Sequence, residues 1–490
     1  MGELLLMPAL DLFGPATRET PGRPQNVSRL VNVYRVPSER SGAMCLPVPG
    51  MRRVATLDGA FMRAMLPVRD RLVVAHGGAL WRLGAGFAPE RLRSIADAAD
   101  TSLATMDGAV LVAAGGSYQL LLANGSSSDP DMEAAAAFEA VGSVTVVAQR
   151  AVLTERGGRR VQWSAPAEPT RFDALDFATA EQRDEPIVRA LAVGPELWVF
   201  KGTHLERWAP TGDDRGFQYL PGSLLEFGLA GFNLVAETPR GAFWIAQDGR
   251  AYLGSAGGVD GISTAAVESA IAAEPPHRVL FTRYTARDVV AVLFRNRPAW
   301  CCDLATSEWH ERAQGGDLGA WQAVAAGGLA RVRYVGDDAG GVFALDAVGE
   351  DDGAFMTRIM VSRAIMNDGR SFRVPRFEAL ADTGLGALTD AALGVDVDGD
   401  ALSDGALDMG SGALLALGAE GRGPVVTLRV SRDEGRTWGA PQPRSLGRAG
   451  EARIRLCWRA LGRFRSFTAE LRCAEPTPVA FDAAALVDLA

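Results

Sequence analysis

Phe243-Trp244-Ile245-Ala246-Gln247-Asp248-Gly249-Arg250-Ala251-Tyr252-Leu253 is two short apolar runs folded about an Asp-Gly pair. Aromatic and branched side chains suit a pleated, half-buried surface, and Asp-Gly suits a tight turn. A type I′ turn needs φ > 0 at both central residues, which Asp248-Gly249 supplies at little cost, so the stretch reads as a β-hairpin. The same unit recurs at Leu72–Leu83, Val110–Leu121, Val152–Trp163, Glu196–Trp208, Val290–Trp300 and Val332–Leu345. Aligned on Leu72, Val110, Val152, Leu197, Phe243, Val290 and Val332, the steps are 38, 42, 45, 46, 47 and 42 residues. A strand-built repeat of roughly 40–45 residues is the signature of a β-propeller blade. A propeller is a disc with flat faces and loops for docking, and it need not perform chemistry.

Working outward from the hairpins, an all-β chain is expected. A propeller of six to seven blades covers 51–350. Residues 1–50, rich in Pro, Arg and Gly, read as an extended N-terminal arm packed on the outside of the disc. Residues 351–490 read as a separate C-terminal antiparallel β-domain. Its strand candidates are Phe355–Val361, Phe372–Leu380, Val425–Ser431, Ala452–Ala460 and Ser466–Cys473, and one of its strands is a candidate for closing the ring. Two segments break the hairpin pattern. Asn124–Asp131 is a polar loop followed by a short helical turn at Glu133–Phe138, and Thr264–Ala273 has the three-and-four spacing of a helix. The Gly- and Ala-rich segment from Gly384 to Gly423 reads as turns and loop.

The totals narrow the function classes. At 490 residues, 48% hydrophobic and 22% charged, the chain can bury a large core without disulfides. Five cysteines (Cys45, Cys301, Cys302, Cys457 and Cys473) include an adjacent pair and no CxxC spacing, which points to free thiols and a reducing compartment. His76, His204, His277 and His310 do not cluster with one another or with cysteine at ligand spacing, so no metal and no cofactor is expected. The first residues lack a basic n-region, and no run of 18 apolar residues occurs, so neither a secretory leader nor a membrane anchor is expected. The formal charge of −9 disfavours nucleic acid as a gripped ligand.

Three motifs carry chemistry in other settings. Ser431-Arg432-Asp433-Glu434-Gly435-Arg436-Thr437-Trp438 fits the Asp-box S-x-D-x-G-x-T-W. In it Asp433 caps a hairpin turn, Gly435 takes a left-handed conformation and Trp438 packs beneath. This is a structural signature. Phe372-Arg373-Val374-Pro375 resembles the F-R-I-P arginine motif of sialidases, but a sialidase converges three arginines on a carboxylate and repeats the Asp-box, so an exposed Arg373 on a strand is the favoured reading. Asp396-Val397-Asp398-Gly399-Asp400 starts like a calcium loop, yet Ala401 and Leu407 stand where an EF-hand needs Gly and Glu. No phosphate-binding glycine motif and no G-x-S-x-G elbow occurs. An enzyme is not expected.

Several stretches, in order, resemble the packaged-DNA stabilisation proteins of short-tailed bacteriophages, also called tail accessory factors or tail hub/nozzle proteins. They begin with Gln25-Asn26-Val27, Val31-Asn32-Val33-Tyr34 and Leu46-Pro47-Val48-Pro49-Gly50-Met51. Trp163-Ser164, Phe172-Asp173, Phe177-Ala178, Glu196–Phe200, Gly202-Thr203, Glu206, Trp208, Glu226-Phe227-Gly228 and Trp244 continue the series. The Asp-box, Trp458, Leu461-Gly462 and Phe467 end it. The resemblance implies a non-enzymatic virion protein of the tail, assembled in the host bacterial cytoplasm. It implies a homohexamer below the portal and its adaptor or head-completion protein, docking the tail needle and tailspikes or fibres. Double-stranded DNA would pass through the channel without sequence recognition, and a negative lumen would repel it within about 8–10 Å. The alternative, resting on the Asp-box and Phe372–Pro375, is a sialidase-like glycan hydrolase or lectin built on a propeller.

Overall fold

A run such as Ala109–Ala114 (Ala-Val-Leu-Val-Ala-Ala) has no polar face to give to water. All six residues are buried, as are the six of Glu196–Lys201. A strand apolar on both sides must sit in a sheet covered on both sides, and a ring of stacked sheets satisfies every such strand at once. The computed structural model describes residues 10–14, 28–39, 42–122, 127–128, 139–212, 216–383, 424–447 and 453–489.

Seven antiparallel four-stranded blades form the ring. The first six run from Met62 to Ser94, Ser102 to Ser128, Val141 to Thr179, Ile187 to Tyr219, Val235 to Gly261, and Arg278 to Arg312. Blade seven uses Ala323–Leu329, Val332–Asp337 and Gly341–Ala347, and borrows its fourth strand, Gly50–Thr56, from far upstream. The register sets Met51 against Leu345 and Thr56 against Gly341. The ring is therefore closed from the N-terminal side, which corrects the expectation of a closing strand from the C-terminal domain. The physical reason is position: Gly50–Thr56 leads directly into blade one at Met62, so pairing it with blade seven ties the two ends of the ring together. Met62, Met65 and Leu72 of blade one then pack with Val324, Tyr334 and Val342 of blade seven.

The quoted hairpin forms, but its turn differs from the expectation. Gly249 N donates to Ala246 O (3.0 Å) and Ala246 N to Arg250 O (2.9 Å). Gly249 has φ +78°, while Asp248 is not among the positive-φ residues. This is a type I turn followed by a left-handed glycine, a G1 bulge, rather than a type I′ turn. Asp248 caps it by accepting from Arg250 N (3.0 Å) and Tyr252 Oη (2.6 Å). The expected helix is present at Ala265–Ala273, between blades five and six.

The remaining strands make a two-sheet sandwich. One sheet runs Val33–Ser38, Gly42–Pro47, Ala480–Asp488, Phe372–Asp382 and Arg453–Phe464. The other contains Arg29–Val31, Arg358–Val361, Ser466–Cys473, Val425–Ser431 and Gln442–Ser445. Phe377, Trp458, Phe464 and Phe467 fill the space between them. Residues 29–47 are thus strands of the sandwich, not an arm lying along the disc; alternating burial in Gly42–Pro47 shows that this segment has a face to hide. Asn124–Asp131 and Glu133–Phe138 lie largely or wholly outside the described residues, as do Gln25–Val27 and Asp396–Asp400.

Candidate assembly surface

Propeller and sandwich share one sheet. Arg29–Val31 pairs antiparallel with Arg358–Val361 on one side, and through Val31–Glu311 it pairs parallel with the outer strand of blade six on the other. Beside this seam Arg312 is fully buried. Its Nη2 donates to Asp351 Oδ1 at 2.6 Å, and both side chains have 0% exposure. Arg312 Nη1 donates to Asn32 Oδ1 (3.2 Å), and Asp351 Oδ1 also accepts from Met51 N (3.1 Å). Asn32, at φ +57°, donates from Nδ2 to Thr357 O (2.8 Å) and accepts from Ala313 N (2.9 Å). One guanidinium thereby fastens the entering chain, blade six and the chain leaving blade seven. A buried charge left without its partner is costly, so this arrangement resists hinging.

A second buried ion pair lies inside blade four. Lys201 is the only lysine in the chain. Its Nζ lies 3.0 Å from Glu206 Oε1 and donates to Ala180 O (2.8 Å) and Arg183 O (2.7 Å), all out of water. Glu206 also accepts from Trp208 Nε1 (3.2 Å). Burial, then the Lys201 charge, pull the neighbouring His204 below the usual histidine range.

The Asp-box residues adopt a hairpin turn between Val425–Ser431 and Gln442–Ser445. Asp433 accepts from Thr437 N (2.8 Å), Thr437 Oγ1 (2.6 Å) and Ser431 Oγ (2.7 Å). These bonds, Thr437 Oγ1 first, hold its carboxyl down to about 2. Gly435 sits at φ +89°. Trp438 is half-buried and packs against the cluster of Val31, Ala313, Ile359 and Val361, so the motif braces the seam.

Arg373 is exposed on the sandwich surface, directly opposite Arg463, and Arg376 is opposite Arg459. Two like-charge cross-strand pairs, separated by Val374–Gly462 and a register shift, are unfavourable in an isolated sheet. Arg376 is balanced by Asp488 (2.8 Å) and Glu378 (3.1 Å). Arg373 itself is exposed on its strand. Among the described residues, strand Arg453–Phe464 comes last in the order of its sheet, and its Cys457 O accepts from Arg444 Nε (2.9 Å).

On the disc, the outermost strand of blade three, Glu168–Thr179, is the longest of the propeller strands and holds Leu175 at 84% and Phe177 at 38% exposure. Residues Phe172-Asp173 and Phe177-Ala178 stood out in the sequence, but Leu175 did not, because one exposed leucine has no sequence signal. Among the described residues no group of His, Cys, Asp and Glu could hold a metal, and no helix is long and apolar enough to cross a membrane.

A family model described as bacteriophage P22 Gp10, beta-propeller, matches residues 26–293, and one described as bacteriophage P22 Gp10, beta-sandwich, matches residues 395–487. No curated protein matches the sequence. Among solved structures, PorZ of Porphyromonas gingivalis is similar at 14% identity and TM-score 0.39, over 60% of this chain and 37% of that one. The extracellular domain of the putative one component system BT4673 from B. thetaiotaomicron is similar at 9% identity and TM-score 0.43, over 62% and 40%. YCF48 bound to D1 peptide is similar at 11% identity and TM-score 0.41, over 61% and 98%. The chain spans 37% and 40% of the lengths of the first two, and these likenesses carry no argument about function. With the propeller pattern covering more than half of its 490 residues and the sandwich pattern following in order, the chain belongs to the bacteriophage P22 Gp10 family, the tail hub and DNA-stabilisation proteins of short-tailed phages.

Proposed function

We propose that the chain is a structural tail hub or nozzle subunit of the virion, assembled in the host cytoplasm as a homohexameric ring below the portal and its adaptor. The ring helps retain packaged DNA, forms its conduit, and docks the tail needle and tailspikes or fibres. The observation that carries this reading is the rigid join of propeller to sandwich through a shared sheet and the buried Arg312–Asp351 pair. A subunit that bears load must transmit it without bending at its domain boundary, and the family of both halves supplies the tail context.

The conduit lies between subunits, not through one disc. Asn233 Nδ2, from the loop leading into blade five, donates to Ala99 O, on the loop between blades one and two, at 3.0 Å. That contact bridges the disc near its axis. The net charge of −9 suits a conduit that lets DNA slide, since duplex DNA carries one negative charge per roughly 1.7 Å. The unpaired cysteines, four of five buried, suit folding in a reducing compartment.

Electron microscopy of the purified protein, with and without the adaptor, tests the proposal. A six-fold ring with a central opening and a negative inner wall is expected. A chain that stays monomeric at micromolar concentration in the presence of adaptor would overturn the ring, and a basic inner wall would overturn the sliding argument.

A further inference from the structure

At the axis of the disc lies an open cavity of about 560 Å³, lined by residues from six of the seven blades. Its charge is opposite to that of the chain. Arg63, Arg189, Arg278 and Arg333 line it against the single carboxylate Glu237. Arg63 is neutralised by Asp97 at 2.7 Å. Among the described residues no carboxylate oxygen lies within 4.0 Å of Arg189, Arg278 or Arg333. Arg189 spends Nη1 on Phe232 O (3.1 Å), and its buried Nε has no acceptor. Arg278 spends Nη1 on Arg63 O (2.6 Å). Arg333 rests over the Phe281 ring at 6.0 Å.

Glu237 acts on Arg189, and Asp288 on Arg333, only through space and without direct contact, and backbone carbonyls and a ring face carry no net charge to set against a guanidinium. Burial lowers Arg189 and Arg278 to about 10, so both remain cationic at neutral pH. Arg278 sits near enough to Arg189 and Arg63 for their charges to oppose its own, with Asp338 acting the other way. Crowding like charges in a low-dielectric recess destabilises the fold unless something compensates. Leu103 and Val279, on inner strands, are among the apolar residues that line the same cavity. A recess with low-dielectric walls also concentrates the field of the charges at its mouth.

From this geometry we infer that the axial cavity is a binding site for a multivalent oxyanion of the phosphate or carboxylate class, held by Arg189 and Arg278 with Arg333 behind them. The planar guanidinium fork matches the oxygens of either group. The cavity is large enough for a triphosphate-sized or tricarboxylate-sized ion, and the Asn233–Ala99 bridge keeps a duplex out.

Titration calorimetry and thermal melts of the full chain with inorganic phosphate, tripolyphosphate and citrate, each against chloride at matched ionic strength, test it. Saturable one-site binding with a raised melting temperature is expected for at least one of these. Arg189→Gln and Arg333→Gln should each weaken it about tenfold, the loss of one charge-assisted hydrogen bond, and Arg373→Gln on the sandwich should leave it unchanged. Arg333→Gln keeps the test open should Arg189→Gln fail to fold. Stabilisation no greater than chloride gives in the wild-type chain overturns the inference without any variant. So does binding that both cavity variants retain in full or that Arg373→Gln weakens equally.

Discussion

Replacing Asp351 by Ala removes the carboxylate that Arg312 meets at 2.6 Å, where both side chains have 0% exposure. The guanidinium keeps Asn32 Oδ1 and nearby carbonyl oxygens, so it stays hydrogen-bonded but loses its counter-charge. Breaking a buried pair from one side costs about 3–5 kcal/mol. The lost bond from Met51 N, on the ring-closing strand, adds about 1 kcal/mol. Asp351→Ala should therefore cost about 4–6 kcal/mol, and Arg312→Met a similar amount for leaving Asp351 unpaired. The double variant leaves neither charge stranded, so its loss should fall below the sum of the two by about 2–3 kcal/mol. Urea unfolding followed by tryptophan fluorescence supplies the four corners of the cycle. Single losses under about 1 kcal/mol that add within about 0.5 kcal/mol would refute the idea that this pair locks the domains together.

Three further outcomes follow from particular contacts. Deleting residues 1–56 should abolish soluble expression, because blade seven loses Gly50–Thr56, whereas a chain ending at 347 keeps a closed ring and should stay folded though weakened; the reverse result would refute closure from the N-terminal side. Burial sets His310 at about 3 against an ordinary 6.5, so it folds neutral. Its share of stability is full above pH 6.5 and is lost as pH falls from there toward 3, at about 1.4 kcal/mol per pH unit, and His310→Phe should flatten that part of a pH–stability curve. Four of the five thiols are buried, with burial pushing Cys45 and Cys301 up to about 12, so Ellman's reagent should titrate one fast thiol, Cys457, before unfolding, and two or more would contradict the packing.

What could be read from the sequence was what is local. Phe243–Leu253 shows its strands and its turn within eleven residues, and the Asp-box does so within eight. Val425–Ser431 and Ser466–Cys473 appear with the expected bounds. Pairings between distant segments left no mark. Gly50–Thr56 straddles the expected boundary between arm and propeller, and its partner lies almost three hundred residues away. Ala480–Asp488 is alanine-rich, which favours helix in isolation, yet it is an inner strand of the sandwich because both of its faces find cover. The cavity arginines were illegible for the same reason: each comes from a different blade, and only closure of the ring gathers them.

The sealing of Lys201 in blade four has a practical consequence for anyone handling the folded protein. With its one ε-amine out of solvent, succinimidyl dyes and amine-coupling surfaces find no side chain to acylate and are left with the α-amine. A conjugate made this way carries a single label at a known end of the chain. A second label per molecule reports that blade four has opened.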